Sequence, residues 1–274
     1  MSDRPTILIT NDDGFNAPGI FNLVEAMKPL GKVVVVAPDK PQSGMGHAIT
    51  LNDPIKLKKI DVFGDVEAYS CSGTPVDCVK LAKDKILHRL PDLCVSGINH
   101  GSNSSINVIY SGTMSAAVEA SIEGIPAIGF SLLDYRTDAD FSASAHYAQI
   151  IAKQVLDNGL PESTLLNVNI PAIKIDAVKG MKICRQAIAK WEEEYDERKD
   201  PRGNQYYWLT GKFVNYDHGE DTDEWALNNG YISIVPVQFD MTAHHAIPYF
   251  NQHWTIYNSI PSSDGTNDST DQLG

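Results

Sequence analysis

The sequence predicts an α/β protein built on a doubly wound, mostly parallel sheet, followed by a C-terminal extension that contains a β-hairpin. Short β-branched runs alternate with helix-length stretches from the N-terminus onward, which is typical of strands connected by helices. Several runs, such as Val33–Ala37, are apolar throughout, which indicates strands covered on both faces. After about Val178 this alternation stops, and charged, aromatic and polar segments follow.

The strands of the first part can be placed in order, together with one helix start. Thr74 offers a hydroxyl at the N-cap, Pro75 suits the first turn, and Asp77 stands at the third helical position. A first-turn acid is stabilised by the helix dipole without any ligand, so Asp77 is interpreted as part of a well-capped helix. Six β-branched runs predict strands: Thr6–Thr10, Lys32–Ala37, Val66–Cys71, Asp92–Ser96, Ile125–Leu132 and Leu165–Ile170.

These patterns divide the chain into three parts. Residues 1–178 are predicted to form the α/β core. Residues 179–250 are predicted to form the extension, with a strand over Gly230–Val237, which packs on the core or reaches another subunit. Residues 251–274 are polar and poor in core-forming side chains, so disorder is expected there.

The net charge limits the class of partner. The 274 residues carry a formal charge of −13, whereas duplex nucleic acid and anionic membrane surfaces bind basic faces. A small molecule is therefore the favoured ligand. A phosphorylated ligand is itself an anion, so its site would need a cation or aimed backbone dipoles to offset the acidic field. A bound metal ion is expected for such a ligand.

Cysteine usage and the N-terminal segment indicate a reduced, cytoplasmic protein. The four cysteines, Cys71, Cys78, Cys94 and Cys184, form no CxxC pair. The segment MSDRPTILIT lacks the basic and apolar regions of a signal peptide. No apolar run approaches the roughly 20 residues that a membrane helix requires. Neither export nor membrane insertion is expected.

Two adjacent acids follow the first predicted strand. Asp12 and Asp13 stand where the strand ends, and ligands of open parallel sheets bind at the carboxyl ends of strands. Neighbouring carboxylates repel each other unless a cation lies beside them, and Mg²⁺ and Mn²⁺ prefer such oxygen ligands. The pattern therefore indicates a metal site. A solvated Asn-Asp-Asp-Gly turn is the alternative for this motif taken alone.

Further polar residues follow the second and fourth predicted strands. In the loop after the second strand, Ser43 can present a hydroxyl to a metal or phosphate, and His47 can transfer protons. A loop histidine bonded to the backbone is the simpler interpretation of His47 alone. After the fourth strand, Asn99 offers a neutral carbonyl oxygen as a further metal ligand.

A helix with small residues at its start comes next. The segment Ser111, Gly112, Thr113 precedes the helical pattern MSAAVEASIEG. The first N–H groups of a helix and its positive dipole end suit a phosphate group. Simple N-capping by Ser111 or Thr113 uses the same residues and remains an equal alternative.

The motifs NDDG, APDKPQSGMGHAITL, GTPVDCVKLA, SGINHGSN and YSGT, in this order, closely resemble those of the SurE family of survival proteins, the 5'/3'-nucleotidases. Segments Asp200–Asn204 and Gly230–Ile234 resemble the later part of the family. Asn107 stands where an acid often precedes the YSGT turn, and Ser104 and Ser105 replace a more apolar pair. These departures concern substrate preference and loop geometry more than the proposed metal ligands.

The resemblance implies a Rossmann-like core, a homodimer that can pair into a tetramer, and an extension interlocked between subunits. It implies hydrolysis of nucleoside 5'- and 3'-monophosphates, with short-chain polyphosphate as a further candidate substrate. It implies one divalent ion per subunit, Mg²⁺ or Mn²⁺, held by Asp12, Asp13, Ser43 and Asn99. Candidate phosphate- or substrate-binding residues are Asn11, Gly44, His47, Asn103, Ser111, Gly112 and Thr113.

The mechanistic hypothesis assigns catalysis to Asp12 and Asp13, with Asp12 preferred as the group that orients or deprotonates the attacking water. One alternative is a phosphatase with an aspartyl-phosphate intermediate on Asp12, although its usual signature separates the two acids by one residue. Another is a non-catalytic nucleotide-binding protein, although no GxGxxG follows the first strand.

Overall fold

The computed structural model describes residues 4–254, which fall into two units divided after Phe239. The first unit holds a nine-stranded sheet with helices on both faces. The strands run in the order β3-β4-β2-β1-β5-β6-β7-β11-β8. Their bounds are β1 Thr6–Thr10, β2 Lys32–Pro38, β3 Leu57–Ile60, β4 Glu67–Cys71, β5 Leu93–His100, β6 Ala127–Leu132, β7 Thr164–Ile170, β8 Met181–Ile183 and β11 Ile232–Gln238.

The predicted doubly wound, mostly parallel sheet is confirmed. The six consecutive neighbours from β4 to β7 are all parallel, while β3 and β11 pair antiparallel with β4 and β7. From β1 the chain builds outward through β2 in one direction and resumes at β5 in the other. The strand order therefore reverses between β1 and β5, and this is where open α/β sheets bind ligands.

The six predicted strands are present, and apart from the end of β5 their bounds agree with expectation to within two residues. β5 continues to His100, past the predicted end at Ser96, because its pairing with β6 shifts register between Ser96 and Asn99. β3 was not predicted, since LKKI is a short, half-polar run. A short strand rich in lysine is typical of a sheet edge, where such residues prevent pairing with other chains.

Two helical layers cover the sheet. α1 and α5 share one apolar cluster with the sheet, and α2 and α4 share the other. Along β1 the side chains alternate, so that Ile7 and Ile9 face the first layer and Leu8 the second. The helices are α1 Pro18–Met27, α2 Pro75–Leu81 with a π-helical continuation Ala82–Leu87, α3 Asn107–Tyr110, α4 Gly112–Ile122, α5 Ser142–Asn158 and α6 Asp223–Asn228.

The predicted start of α2 is confirmed as a capping box. The backbone N–H of Asp77 donates to Thr74 Oγ1 at 3.2 Å, and that of Thr74 donates to Asp77 Oδ2 at 2.8 Å. Both residues are buried. The cap thus satisfies N–H groups that the first turn of a helix leaves without intrahelical partners.

The residues after Val178 form both a hairpin and part of the main sheet. Strands β9 (Ala189–Lys199) and β10 (Gln205–Asn215) pair antiparallel as a separate two-stranded sheet, which confirms the predicted hairpin. β8 and β11 instead complete one side of the nine-stranded sheet. The extension therefore shares hydrogen bonds with the core while its hairpin stays outside the sheet.

The second unit contains a short helix, α7 (Ile247–His253). Of the tail expected over residues 251–274, Asn251–His253 end this helix, and residues 255–274 lie outside the described part of the chain. No helix within residues 4–254 is long and apolar enough to span a membrane. The four cysteines are free and buried.

Candidate active site

The turn after β1 lies at the reversal point of the sheet. Asn11 Nδ2 donates to the carbonyl oxygen of Gly14 at 2.9 Å and closes the turn. The carbonyl oxygen of Asp12, in this turn, accepts a hydrogen bond at 2.7 Å from the backbone N–H of Gln42, which lies in the loop after β2. The loop after β2 is therefore in direct contact with the acid pair, and Ser43 follows that contact by one residue.

Asp12 is buried against the N-terminus of α4. The Thr113 hydroxyl donates to Asp12 Oδ1. A Cβ on Gly112 would lie 2.7 Å from Asp12 Cβ, so only glycine allows this approach. Burial and the charge of Asp13 raise the pKa of Asp12 to about 6, although the hydrogen bond from Thr113 acts in the opposite direction. The ionised carboxylate is thus incompletely compensated by the protein itself.

Asp13 contacts the irregular end of β5 at His100, the residue that follows Asn99. Gly97 has a φ of +126°, and a Cβ there would lie 2.3 Å from the carbonyl oxygen of Phe130. Beyond this point the backbone N–H of His100 donates to Asp13 Oδ2 at 3.2 Å. The side-chain nitrogen Nδ2 of Asn99 donates to the carbonyl oxygen of Gly101 at 2.9 Å. The side-chain oxygen Oδ1 of Asn99 is therefore the atom that can bind a ligand.

The polar atoms at this edge fit a hard divalent cation. Among residues 4–254, three of the four buried side-chain oxygens without a hydrogen-bond partner belong to Thr10, Asn11 and Ser96, at the ends of β1 and β5. No group of three or more His, Cys, Asp or Glu side chains suited to a metal occurs in that range. Two carboxylates supplemented by neutral oxygens and water are the set that Mg²⁺ accepts.

The sequence left open whether the residues at the start of α4 cap the helix or bind phosphate, and the structure assigns different contacts to Ser111 and Thr113. Ser111 is the N-cap, because its Oγ accepts a hydrogen bond from Met114 N at 3.0 Å. Thr113 does not cap the helix; its side chain holds Asp12 instead. The backbone N–H groups of Gly112 and Thr113 thus open the helix beside a carboxylate, where a cation and an anion can bind next to each other.

Asn103 lies in a buried polar network that the sequence did not reveal. Its backbone N–H donates to Asn169 Oδ1, and its Nδ2 donates to Ser131 Oγ, both at 2.8 Å. Asn167 Nδ2 donates to the carbonyl oxygen of Asn103 at 2.8 Å. The alternating asparagines of LLNVNI in β7 were the available signal, since buried strand asparagines require partners.

His47 and Ser43 are placed differently in the same loop. Ser43 and Gly44 form an exposed turn in which Gly44 has a φ of +72°. His47 Nε2 lies 2.9 Å from Oε2 of Glu119, a buried residue of α4 that also pairs with Lys80. The ring of His47 is therefore engaged on the flank of α4. The sequence reasoning missed Glu119, which sits unmarked inside the helical pattern.

The extension is attached to the loop that carries Asn103. Asp223 is fully buried, and its two oxygens accept hydrogen bonds from Ser105 N at 2.7 Å and Ala187 N at 2.9 Å. Trp191 Nε1, in the hairpin, donates to Asn107 Oδ1 at 2.8 Å. Ser105 and Asn107 therefore both contact the extension.

Comparisons with known proteins agree with this architecture. The family model described as "Survival protein SurE" matches residues 7–193. The protein named "5'-nucleotidase SurE" from Flavobacterium psychrophilum is 66% identical over 254 residues, which are 92% of this chain and 98% of that protein. The protein of the same name from Christiangramia forsetii is 66% identical over 246 residues, or 89% and 95% of the two chains.

A solved structure extends the agreement to three dimensions. The crystal structure of the SurE protein from Aquifex aeolicus superposes with a TM-score of 0.79 at 42% sequence identity. It covers 90% of this chain and 99% of its own. Since the family model matches more than half of the chain and the relatives match it almost end to end, this chain belongs to the SurE family.

Proposed function

We propose that this protein is a divalent-metal-dependent phosphomonoesterase that hydrolyses nucleoside 5'- and 3'-monophosphates to nucleoside and phosphate, with short-chain polyphosphate as a further substrate. The observation that carries the proposal is the burial of Asp12 against the N-terminus of α4. A cation held by the acid pair and an anion held by the helix would lie side by side there. The relatives named 5'-nucleotidase support the substrate class.

The proposed metal ligands are Asp12, Asp13, Ser43 and Asn99, which would hold one Mg²⁺ or Mn²⁺ per subunit. This set supplies two carboxylates, a hydroxyl and an amide oxygen, the oxygen donors that both ions prefer. When bound, the ion would polarise a phosphoryl oxygen and lower the pKa of a water molecule.

The residues around the ligands have separate proposed tasks. The N–H groups of Gly112 and Thr113 bind phosphoryl oxygens and stabilise the charge that grows on them. The Thr113 hydroxyl donates to Asp12 Oδ1 and fixes the orientation of the Asp12 carboxylate, which orients or deprotonates the attacking water. Asn103, fixed by its network, and the turn residues Asn11 and Gly44 complete the phosphate side.

Assembly through the extension is also proposed, as a homodimer that pairs into a tetramer. The hairpin sets Trp191 opposite Phe213 and Tyr195 opposite Leu209, so that these apolar side chains share one face. Tyr195 is 67% and Leu209 is 60% exposed in the single chain. Large apolar side chains exposed on one face in this way typically mark a protein–protein interface.

The test of the function is phosphate release. AMP, GMP, 3'-AMP and tripolyphosphate would each be incubated with the protein and Mn²⁺ or Mg²⁺, with and without a chelator. We expect release from the monophosphates that stops on chelation. Binding of nucleotide without release of phosphate would instead favour a non-catalytic nucleotide-binding protein.

Direct attack by water can be distinguished from an aspartyl-phosphate route. The enzyme would be mixed with AMP labelled in the phosphate and quenched in acid within one turnover. Direct attack leaves no label on the protein, whereas the covalent route leaves phosphate on Asp12.

A further inference from the structure

The loop of residues 39–56, here called the Ser43 loop, is fastened to α2 and α4 by polar contacts. His47 Nε2 lies 2.9 Å from Glu119 Oε2 on α4. Thr74 Oγ1, at the N-cap of α2, donates to Ala48 O at 2.8 Å. Thr50 Oγ1 donates to Asp77 Oδ2 at 2.6 Å. The loop is thus held at the N-terminus of α2 and on the flank of α4.

Burial of apolar side chains contributes little to holding residues 43–51 of this loop, whereas Ile55 near its end packs against the core. Met45 is 49%, Ile49 47% and Leu51 79% exposed. A segment with few buried apolar contacts opens easily unless specific polar contacts restrain it. The backbone hydrogen bond from Gln42 to Asp12 holds one side of the exposed turn at Ser43, and the contacts to α2 and α4 restrain the chain that follows it.

Glu119 is a buried carboxylate that binds two side chains, those of Lys80 and His47. Only 3% of the residue is exposed, and Lys80 and His47 each engage one of its carboxylate oxygens. Burial raises the pKa of Glu119, but the hydrogen bonds from His47 and Lys80 outweigh it and hold the pKa below its ordinary value. The carboxylate is therefore ionised at neutral pH, where it attracts the imidazole of His47.

Glu119 is too far along α4 to touch the phosphate site itself. It follows Thr113 by six residues, which corresponds to about 9 Å along the helix axis. Any effect of Glu119 on chemistry must then pass through the loop. Groups that orient metal ligands from outside the coordination shell commonly change metal affinity or activity by about 10- to 100-fold.

We propose that Glu119 is a positioning residue that acts through His47 to hold the Ser43 loop in the conformation in which Ser43 reaches the metal. This inference rests on the proposed function, because it concerns the same site. It gives His47 the role of a fastening group on the flank of α4. It also gives a role to the buried ion pair on the helix that begins at the acid pair.

The chain contains a matched control for this arrangement. Lys83 pairs with Glu123 one turn further along the same helical layer, with the same charged groups but a more exposed carboxylate. Within residues 4–254, neither side chain forms a hydrogen bond or ion pair with the Ser43 loop. Substitution of Glu123 therefore removes a Lys–Glu pair between the same helices without releasing the loop.

The experiment compares His47→Ala, His47→Gln, Glu119→Gln and Glu123→Gln in the full-length protein. Mn²⁺ affinity is measured by calorimetry without substrate, and amide exchange of residues 39–56 without metal. We expect His47→Ala and Glu119→Gln to weaken Mn²⁺ binding and lower kcat by about tenfold, and to speed exchange in the loop. Glu123→Gln should match the wild type, and His47→Gln, which keeps a hydrogen-bond donor, should recover most of the loss.

Two results would overturn the proposal. One is unchanged Mn²⁺ affinity and loop exchange in His47→Ala, whose half-exposed side chain can be removed without loss of folding. The other is a rise in KM for the nucleotide alone, which would place His47 on the substrate. Absence of hydrolysis by the wild type would contradict the proposed function instead, and the exchange measurement would still decide whether Glu119 holds the loop.

Discussion

Two regions differ in how they use polar and apolar side chains: the carboxyl ends of the central strands β1 and β5, here called the edge, and the hairpin β9–β10. At the edge, Asp12 is only 5% exposed and is held by Thr113. In the hairpin, large apolar side chains such as Trp208 and Leu209 are about three-fifths exposed, on strands that also carry many charged residues. The edge buries charge that proteins normally expose, and the hairpin exposes apolar surface that they normally bury.

The difference teaches where each region obtains its stability. The edge belongs to a nine-stranded sheet with helices on both faces, and this packing tolerates a costly buried carboxylate. A two-stranded hairpin is at best marginally stable alone and depends on what covers it. The contribution of the edge can therefore be measured as activity or stability of a single chain, whereas that of the hairpin must be measured as a change in oligomeric state.

The largest expected effect comes from replacing the buried carboxylate at the edge. Asp12→Asn should reduce kcat by about 10²- to 10³-fold, because the side chain that would help hold the cation and orient the attacking water loses its charge. Steady-state phosphate release measures the loss, and circular dichroism checks the fold. Full activity in a folded Asp12→Asn protein would contradict the assignment.

The next largest effect concerns Asp223, whose hydrogen bonds link the Ser105 loop to the start of the extension. Asp223→Ala should lower the free energy of unfolding by about 3 kcal/mol, because it leaves the buried N–H groups of Ser105 and Ala187 without acceptors. Urea denaturation measures this change. Asp221→Ala, which removes only an exposed ion pair with Arg185, should have a much smaller effect. Similar losses of unfolding free energy in both variants would show that the buried hydrogen bonds of Asp223 contribute no more to stability than an exposed ion pair.

A third prediction concerns pH in the presence of a chelator. The pKa of Asp12 is raised from 3.8 to about 6, so the folded protein binds this proton more tightly than the unfolded chain does. The resulting stability is present below about pH 4 and is lost as pH rises through 6, and it amounts to about 3 kcal/mol. Urea denaturation between pH 4 and 7 should show the loss in the wild type.

The matched control for this pH effect is Asp12→Asn. Because asparagine does not titrate, the variant should lack that part of the pH dependence. Superimposable pH profiles for the two proteins would mean that the folded state does not hold the Asp12 proton more tightly.

The smallest expected change in chain stability comes from the hairpin. Leu209→Lys should alter the free energy of unfolding of the monomer by less than about 0.5 kcal/mol, because the side chain is exposed. It should nevertheless shift the oligomer toward smaller species in analytical ultracentrifugation. Thr210→Lys, on the opposite face of the hairpin, is the control. An unchanged oligomer in Leu209→Lys would remove this face from the proposed interface.

Local patterns were sufficient for most of the fold. β-branched runs located six strands, and the capping residues Thr74 and Asp77 located the start of α2, because these signals depend on neighbours in sequence. The edge strand β3 was missed because its composition is ambiguous. The return of β8 and β11 to the main sheet was also not foreseen, since pairing between distant strands leaves no local signal.

The candidate site divides in the same manner. The sequence by itself determined the acid pair, the helix start at Ser111 and the family, because residue type and order carry that information. Only the tertiary structure decided that Thr113 holds Asp12, that His47 lies on Glu119, and that Asp223 binds the Ser105 loop. These partners are 72 to 118 residues apart, and such contacts arise from how helices and strands pack, which spacing along the chain does not specify.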